Sequence, residues 1–381
     1  MAGYDIPFNV PAIVGDEFDY MRRAVEGGHA SSGGPYSRAC ADILRDAHGA
    51  ADVLLTTSCT DALEMAALLL EIEPGDKVII PSFTFVSTAL AFVRAGARIA
   101  FADIEPETLG VDPASVDRLL DDDVKAVVPV HYAGVGCDME GLEAALAGRP
   151  DVAVVEDNAH GLFGAIGDRP LGTFGRFSTL SFHETKNFVC GEGGALVVND
   201  ATDVDRAHTL LDKGTNRRQF LLGQVDKYSW QDIGSSFGLS DVLAAYLLAQ
   251  LERRESVQER REAIFERYRA HLEPHVGTTG IRLPVVPEDR SCAYHMFYVL
   301  MPDRESRDRM LRHLASESIL GTFHYVPLHS AEGGRRFSAD HTECPVTDDV
   351  SGRLIRLPFF NALRDDQIDR IVETFLAATL T

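Results

Sequence analysis

Ser181-Phe-His-Glu-Thr-Lys-Asn187 ends a few residues before Gly191-Glu-Gly-Gly194, and this stretch decides the fold. It begins within an apolar run, Phe177–Phe182, that is typical of a buried strand, so Lys186 falls in the turn that follows. A second apolar run ends at Asp157, 29 residues upstream of that lysine. Parallel strands place their carboxyl ends at one edge of a sheet, where ligands bind in open α/β folds. The two side chains are therefore predicted to share a cleft.

The region from about residue 50 to 200 alternates β-branched runs with helical patterns, which predicts parallel strands joined by crossover helices. Helical spacing of apolar residues occurs in Asp61–Ile72, Ser87–Ala95 and Met139–Ala147. Strands are predicted at Val53–Thr56, Lys77–Ile80, Arg98–Ala102, Ala126–Val130, Val152–Glu156, Ser178–Phe182 and Ala195–Val198. This part of the chain is predicted to form one α/β domain.

A long helical pattern runs from Ser240 to about Pro274 and changes from apolar to charged near Glu252. A helix that packs at one end and is solvated at the other can bridge two domains. The boundary predicted there separates a large domain, residues 1–251, from a small α+β domain, residues 252–381. The small domain is predicted to contain strands at Ile281–Val286, His295–Met301 and Thr322–Val326, and helices at Arg304–Ser316 and Asp366–Ala377.

Composition limits the possible functions. The chain has 381 residues, 45% of them hydrophobic and 25% charged, as expected for a soluble globular protein with a large core. Its formal net charge of −22 repels a polyphosphate backbone, so nucleic acid is not an expected partner. Its 6 cysteines are far apart and include no CxxC pair, which favours neither disulfides nor a metal site and fits a reducing cytoplasm. No apolar run has the length of a membrane span or the pattern of a secretion signal.

Lys186 and Asp157 together suit imine chemistry on a pyridine aldehyde. A lysine that forms an imine must lose its proton, which a cleft favours, whereas most lysines are solvated loop residues. A carboxylate at the end of a buried strand can pair with a protonated pyridine nitrogen, although Asp157 could instead cap the following helix. In combination the two residues predict pyridoxal 5'-phosphate (PLP) as the cofactor.

A phosphate site is predicted at the start of a helix that follows a strand. Ser58, Cys59 and Thr60 offer backbone N–H groups and hydroxyls there, and Ser181 extends from the strand that precedes Lys186. The same residues could be a plain helix cap, with Ser58 and Asp61 as a capping box. Phe85 lies at another strand-to-helix turn, where its ring could stack on a cofactor or belong to the core.

Several stretches resemble the sugar-nucleotide aminotransferases, a branch of the fold type I PLP enzymes. The resemblance covers nearly the whole chain and depends on Gly34-Pro35, the runs that begin at Ser58 and Pro81, Val130-His-Tyr-Ala-Gly134, Glu156-Asp-Asn-Ala-His160, Ser181–Asn187 and Phe323-His-Tyr-Val-Pro-Leu-His329. It implies an α/β fold type I transferase with a large, mostly parallel sheet domain and a smaller C-terminal α+β domain.

Within this family the chain is most similar to the transaminases that aminate C4 of dTDP-4-keto-6-deoxy-D-glucose, which include dTDP-4-amino-4,6-dideoxygalactose transaminases. The narrower resemblance depends on His183–Asn187, Lys213-Gly-Thr-Asn-Arg217 and Gln224–Ser236. It implies L-glutamate as the amino donor, pyridoxamine phosphate as the cofactor's other form, and a cytoplasmic homodimer whose active sites are shared between the subunits. It leaves open whether the new C4 amine is axial or equatorial.

The resemblance also implies roles for individual residues. Lys186, Asp157 and His160 are the expected catalytic residues. Further cofactor contacts are implied for Ser58, Cys59, Thr60, Phe85, Ser181 and His183. This chain has Ser236 and Gly238 where many relatives carry Asn and Arg in a segment that crosses to the partner subunit, and Ser236 is the expected contact there. Arg217, Tyr325 and His329 are expected to hold the nucleotide diphosphate.

Three other functions are less consistent with these residues than transamination is. A PLP-dependent sugar-nucleotide dehydratase shares the fold, but the resembling members of that group have histidine in place of Lys186. A non-catalytic regulatory protein would have no need for Lys186, Asp157 and Ser181 together. A hydrolase that used Cys137 or Ser58 lacks a recognisable nucleophile turn. Transamination of a nucleotide sugar is therefore the prediction.

Overall fold

The structure is a computed structural model that describes residues 3–379. Within these residues the strands are β1 (Asp52–Thr56), β2 (Lys77–Pro81), β3 (Arg98–Ala102), β4 (Val124–Val127), β5 (Ala153–Asp157), β6 (Ala165–Ile166), β7 (Arg169–Pro170), β8 (Phe177–Ser181), β9 (Gly194–Val198), β10 (Arg290–Ser291), β11 (Tyr298–Leu300) and β12 (Leu354–Arg356).

The α-helices in the same part of the chain are α1 (Glu17–Glu26), α2 (Pro35–His48), α3 (Cys59–Leu69), α4 (Val86–Ala95), α5 (Pro113–Leu119), α6 (Met139–Leu146), α7 (Val204–Leu211), α8 (Arg217–Leu221), α9 (Asp241–Glu252), α10 (Arg254–Leu272), α11 (Val276–Thr279), α12 (Arg304–Ser316), α13 (Glu332–Phe337), α14 (Pro345–Arg353) and α15 (Asp365–Thr379). Among these helices none combines the length and apolar character that a bilayer span requires.

The large sheet has 7 strands in the order β1-β9-β8-β5-β4-β2-β3. Its strands are rich in Val, Ile and Leu because helices cover both faces, as in β2, which is buried along its whole length. The predicted α/β fold with a mostly parallel sheet is confirmed. One strand differs, because β9 runs antiparallel to both β1 and β8. The chain reverses direction through the turn that contains Lys186 and Gly191, without a crossover helix.

A second apolar core lies in the C-terminal region. Helices α10, α12 and α15 pack there around side chains such as Ile264, Phe297 and Phe375, which are buried. Ile6, from the beginning of the described chain, belongs to this core, and its N–H donates to the carbonyl of Ser318 at 3.1 Å. The N-terminal segment therefore crosses to the C-terminal region before the chain enters the large sheet.

Two of the strands predicted in the C-terminal region are wrong. Ile281–Val286 forms only an isolated bridge between Arg282 and Leu300, because Pro284 removes a donor from the ladder. Thr322–Val326 forms only a bridge from Thr322, and Tyr325, at φ 35°, leaves the extended conformation. The strand β12 was not predicted, because its three residues are too short to give a pattern.

The long helix predicted from Ser240 to about Pro274 is two helices. Arg253, at φ −104° and ψ 16°, separates α9 from α10. Side chains at this joint bond to the N-terminal segment: the hydroxyl of Tyr20 donates to Glu252 at 2.8 Å, and the amide of Gln250 donates to the carbonyl of Ala12 at 2.7 Å. The apolar part of the pattern corresponds to α9 and the charged part to α10.

Strands β1, β2, β5 and β8 point in the same direction, so their carboxyl ends meet at one edge of the sheet. Helices α3 and α4 begin at this edge, directly after β1 and β2. The predicted site residues of the large domain follow these strand ends. Topology therefore gathers segments that are up to about 130 residues apart along the chain.

Candidate active site

A cavity of about 920 Å³ opens at this edge of the sheet and extends to the C-terminal region. Segments from both apolar cores contribute to its wall. Ten of the predicted site residues line it: Ser58, Cys59, Thr60, Phe85, Asp157, His160, Ser181, His183, Lys186 and Tyr325. The cavity is large enough to hold a cofactor together with part of a substrate.

Lys186 projects from the turn between β8 and β9. The turn is ordered by backbone hydrogen bonds, among them one from the N–H of Lys186 to the carbonyl of His183 at 2.9 Å and one from Glu184 N–H to the carbonyl of Gly191 at 3.0 Å. Burial lowers the pKa of Lys186 to about 8, and the positive charge of Arg356 acts in the same direction. The amine therefore loses its proton more readily than a solvated lysine, whose pKa is ~10.4.

Asp157 ends β5 with its carboxylate buried at the cavity wall. The hydroxyl of Thr88 donates to one carboxylate oxygen at 2.7 Å, and the N–H of Ala159 donates to the other at 3.2 Å. These two hydrogen bonds fix the position of the carboxylate at the cavity wall. Thr88 was not identified from the sequence, although it lies one helical turn after Phe85 and so on the same face of α4.

The start of α3 forms a cradle for an anion. Cys59 and Thr60 are its first two residues, so their N–H groups have no acceptor inside the helix. Ser58 caps the helix through Asp61 N–H at 3.0 Å, as the alternative reading expected, and still lines the cavity. A Cβ atom on Gly194 would lie 2.4 Å from the nitrogen of Cys59, so only glycine lets β9 approach this closely. The donor set fits a phosphate group.

Three histidines that line the cavity form a buried group. His160 stacks on His295 with ring centroids 4.1 Å apart, and His324 stacks on Tyr325 at 3.6 Å. His295 donates through Nδ1 to the side-chain oxygen of Asn187 at 2.9 Å, which connects this group to the residue after Lys186. Burial lowers the pKa of all three imidazoles well below the usual range, so they are neutral. His295 and His324 were missed because the sequence pattern placed them on strands.

Phe85 and His183 lie near the mouth of the cavity. Phe85 is 58% exposed and directly precedes α4, which places its ring on the surface of the cavity rather than in the core. Nδ1 of His183 forms a hydrogen bond with the hydroxyl of Thr185 at 3.0 Å. Tyr325 reaches inward, with its hydroxyl 3.5 Å from Nε2 of His160.

Three predicted site residues do not line the cavity of their own chain. Arg217 is exposed at the start of α8 and pairs with Asp212 at 3.5 Å. Ser236 is exposed and forms a bridge with Asp212. His329 bonds to the hydroxyl of Ser82 at 2.7 Å, which holds its ring away from the cavity.

A half-buried lysine and a carboxylate that share a cavity with an anion-binding helix start are typical of PLP-dependent enzymes. In such an enzyme Lys186 would carry the cofactor aldehyde, Asp157 would face the pyridine nitrogen, and Ser58, Cys59, Thr60 and Ser181 would hold the phosphate. The residues present fit the group. His160, whose buried Nδ1 has no hydrogen-bond partner among the described residues, also lines the cavity.

Comparison with known proteins identifies the family. The sequence model of the DegT/DnrJ/EryC1/StrS aminotransferase family matches residues 11–376, and the chain belongs to that family. The spore coat polysaccharide biosynthesis protein SpsC of Bacillus subtilis (strain 168) is 31% identical over 377 residues, which cover 97% of this chain and 95% of SpsC. The chain is therefore a PLP-dependent aminotransferase of nucleotide sugars.

Solved structures agree with this assignment. The aminotransferase TlmJ from Streptoalloteichus hindustanus is 28% identical with a TM-score of 0.88, over 99% of this chain and 98% of that one. DesV from S. venezuelae, solved with a ketimine intermediate, is 28% identical with a TM-score of 0.85, over 95% and 94% of the two chains. Spr1654 from Streptococcus pneumoniae, assigned as a sugar aminotransferase and solved in its PMP form, is 25% identical with a TM-score of 0.90, over 99% of each chain.

Proposed function

We propose that this enzyme transfers the amino group of L-glutamate to the C4 keto group of dTDP-4-keto-6-deoxy-D-glucose. The products are a dTDP-4-amino-4,6-dideoxyhexose and 2-oxoglutarate. The observation that carries the proposal is the presence of Lys186 and Asp157 in one cavity large enough for a sugar. The choice of substrate is supported by the resemblance of His183–Asn187, Lys213–Arg217 and Gln224–Ser236 to the C4 transaminases of this sugar.

PLP, when bound, supplies an electron sink that stabilises negative charge on the carbon that gains or loses the amino group. Lys186 holds the cofactor aldehyde and, once displaced by the donor, moves a proton at its Nζ atom. Its lowered pKa, near 8, suits a group that both accepts and returns a proton. Asp157 would face the pyridine nitrogen, and the hydrogen bond from Thr88 holds its carboxylate in place. The cradle of Cys59 and Thr60 fixes the phosphate and thereby orients the ring.

A homodimer is part of the proposal. The segment from α8 to Ser236 exposes large apolar side chains, among them Trp230, which is 82% exposed, and Leu221. Such a patch is typical of an interface between proteins. In a homodimer this segment would bring Arg217 and Ser236 toward the partner's cavity. Light scattering on the purified protein is expected to give twice the mass of the chain, and a monomer with full activity would contradict the shared site.

The rate of covalent PLP binding to Lys186 should depend on pH differently from the rate expected for an exposed lysine. Lys186 reacts as the neutral amine, so we expect the rate of covalent PLP binding to the cofactor-free protein to rise as the pH increases through about 8. A solvated lysine would give a rise through ~10.4 instead. The measurement is the rate at which the absorption of bound PLP appears in a stopped-flow experiment. The pH is varied from about 6 to about 10, which is roughly two units on either side of 8.

Replacing Thr88 by valine should remove one hydrogen bond to the Asp157 carboxylate while preserving the shape of the side chain at position 88. The change removes the hydroxyl that donates to the carboxylate at 2.7 Å. A hydrogen bond to a charged group contributes about 1.5–3 kcal/mol, so we expect a loss of roughly 10-fold or more in turnover. Thr88→Ser keeps the hydroxyl and is the matched control, which should retain most of the activity. Equal rates in the valine and serine variants would show that this hydrogen bond is unimportant.

The substrate is tested by incubating the holoenzyme with L-glutamate and dTDP-4-keto-6-deoxy-D-glucose. We expect 2-oxoglutarate and the aminated sugar in equal amounts, with nitrogen on C4 by NMR. The coupling constants of the product also tell whether the amine is axial or equatorial. Nitrogen on C3, or turnover only with a different nucleotide sugar, would overturn the proposed substrate without affecting membership of the family.

A further inference from the structure

Arg261, on α10, is a buried guanidinium that has no part in any of the roles assigned above. It is 2% exposed, and among the described residues no carboxylate pairs with it. Its Nε and Nη2 atoms donate to the carbonyls of Tyr294 and His295 at 2.8 and 2.6 Å, and Nη1 donates to the side-chain oxygen of Asn361 at 2.9 Å. The guanidinium carbon lies 4.8 Å from the centre of the Phe359 ring. Three neutral acceptors and one aromatic ring therefore fix this cation in place.

A buried cation without an anion adds little to stability, because the cost of desolvation offsets what its hydrogen bonds contribute. Two of the bonds from Arg261 instead reach one short segment that contains backbone strain. Tyr294 has a φ of 49°, in the left-handed region that a bulky side chain disfavours, and such a conformation persists only where the surroundings hold it. Arg261 binds the carbonyl of Tyr294 and that of the next residue, and so holds the strained segment.

The segment from Ala293 to His295 is also held by the turn that follows β4. The N–H groups of Ala293 and His295 donate to the carbonyls of Gly134 and Ala133 at 2.9 and 3.2 Å. The backbone of His295 is therefore bonded through both its N–H and its carbonyl group. This fixes the ring of His295 at the cavity, where it stacks on His160 with centroids 4.1 Å apart.

The same segment holds Asn187, the residue that follows Lys186. Nδ1 of His295 forms a hydrogen bond with Asn187 Oδ1 at 2.9 Å, and Asn187 Nδ2 donates to the carbonyl of Ala293 at 2.6 Å. Asn187 is buried and Lys186 is half-buried, so these bonds anchor the turn that carries the lysine. We propose that Arg261 is a positioning residue, which holds the backbone of His295 so that Asn187 keeps Lys186 withdrawn from solvent.

This proposal deepens the part that Lys186 plays in the proposed function, and it does not depend on the identity of the sugar or of the donor. The test measures how readily Lys186 reacts in the cofactor-free protein. Acetic anhydride at trace concentration modifies neutral amines, and mass spectrometry of the peptides reports the extent of labelling at each lysine. In the wild type we expect labelling of Lys186 to rise as the pH increases through about 8. Lys125 is exposed and should rise through ~10.4, which makes it an internal reference in every sample.

Two variants separate the hydrogen bonds of Arg261 from its charge. Arg261→Met removes both, whereas Arg261→Lys keeps the charge but lacks the planar fork that spans the two carbonyls. If the segment loosens, water reaches Lys186, and we expect its labelling midpoint to move up by roughly one pH unit in both variants. One unit corresponds to about 10-fold slower labelling near pH ~7. The ionisable groups around Lys186, which are Asp157, Cys59, Arg356 and the three neutral histidines, are unchanged in both variants.

Arg267→Met is the matched control on the same helix. Nε and Nη2 of Arg267 donate to Asp369 at 2.8 and 2.7 Å, and not to the segment that carries His295. Loss of this ion pair should lower the melting temperature without moving the labelling midpoint of Lys186. If Arg261 had a structural role alone, its variants would give this same pattern.

Asn187→Leu tests the route from Arg261 to the lysine. This change removes the bonds to His295 and Ala293 and should raise the labelling midpoint of Lys186 by a similar amount. In the double variant with Arg261→Lys, the midpoint should move little beyond that of either single variant, because effects carried through one shared contact do not add.

A raised midpoint in Arg261→Met, Arg261→Lys and Asn187→Leu, without addition in the double variant, supports the proposal. An unchanged midpoint in the folded Arg261 variants, a shift in Arg261→Met alone, or additive shifts would each overturn it, since Arg261 would then act through stability, charge or another route. If an Arg261 variant does not fold, Asn187→Leu still decides, because an unchanged midpoint there removes the link to Lys186. A wild type that labels as expected but does not aminate the proposed sugar would overturn the substrate and leave this proposal intact.

Discussion

Replacing Lys186 by arginine is expected to abolish transamination. Arginine keeps the positive charge but cannot form an imine with the cofactor aldehyde, and it stays protonated at every accessible pH. General acid–base transfer alone typically contributes 10²–10⁴-fold, and loss of covalent positioning adds to this. We therefore expect the steady-state rate to fall by at least ~10⁴-fold. The measurement is production of 2-oxoglutarate from glutamate and the nucleotide sugar.

Lys125 provides the control for this variant because it is exposed on β4, away from the cavity. Lys125→Arg should keep the wild-type rate and the absorption of bound PLP. Lys186→Arg should lose that absorption while unfolding at a similar temperature. A Lys186→Arg protein that still turned over at a near-wild-type rate would remove Lys186 from the chemistry.

The second large effect is expected for Asp157→Ala. This change removes the negative charge that we place against the pyridine nitrogen and leaves the Thr88 hydroxyl and the Ala159 N–H without their acceptor. One preorganised electrostatic partner in an active site is typically worth 10²–10³-fold, and we expect a loss of at least ~10²-fold in turnover. The rate of each half-reaction should fall, since both require the same protonated ring.

Asp157→Asn distinguishes charge from shape. The amide preserves most of the volume and can still accept from Thr88, but it carries no charge. We expect a loss close to that of the alanine variant if charge is what matters. The amount of PLP retained after gel filtration should stay high in both variants, because Lys186 and the start of α3 remain intact. Normal turnover in either variant would mean that the pyridine nitrogen has another partner.

Much of the sheet could be predicted from the sequence because its strands are short, apolar and separated by regular helical patterns. The antiparallel direction of β9 could not, since the turn from Lys186 to Gly194 has no composition that distinguishes a reversal from a crossover. Two strand predictions in the C-terminal region were wrong for a different reason. Prolines such as Pro284 and the left-handed Tyr325 interrupt extended segments that have the apolar content of strands.

The site was predictable where its residues follow recognisable strands. Asp157 ends a strand, Phe85 and Lys186 lie in the turns that follow strands, and the structure brings all three to one cavity. His295 and Arg356 reach the same cavity from the C-terminal region, where only tertiary packing decides which side chains face inward. Their distance along the chain from Lys186 hides the relation, and no local pattern reveals it.

The most direct test of the central claim is to locate the covalent attachment of PLP. The chain has 5 lysines, of which Lys77 is buried and Lys186 is half-buried. Reduction of the PLP-loaded protein with borohydride fixes the cofactor on whichever amine holds it, and mass spectrometry of the peptides then identifies that residue. We predict that the added mass lies on the peptide that contains Lys186, in close to one equivalent per chain. Recovery of the cofactor unattached, or attached mainly to another lysine, would contradict the account.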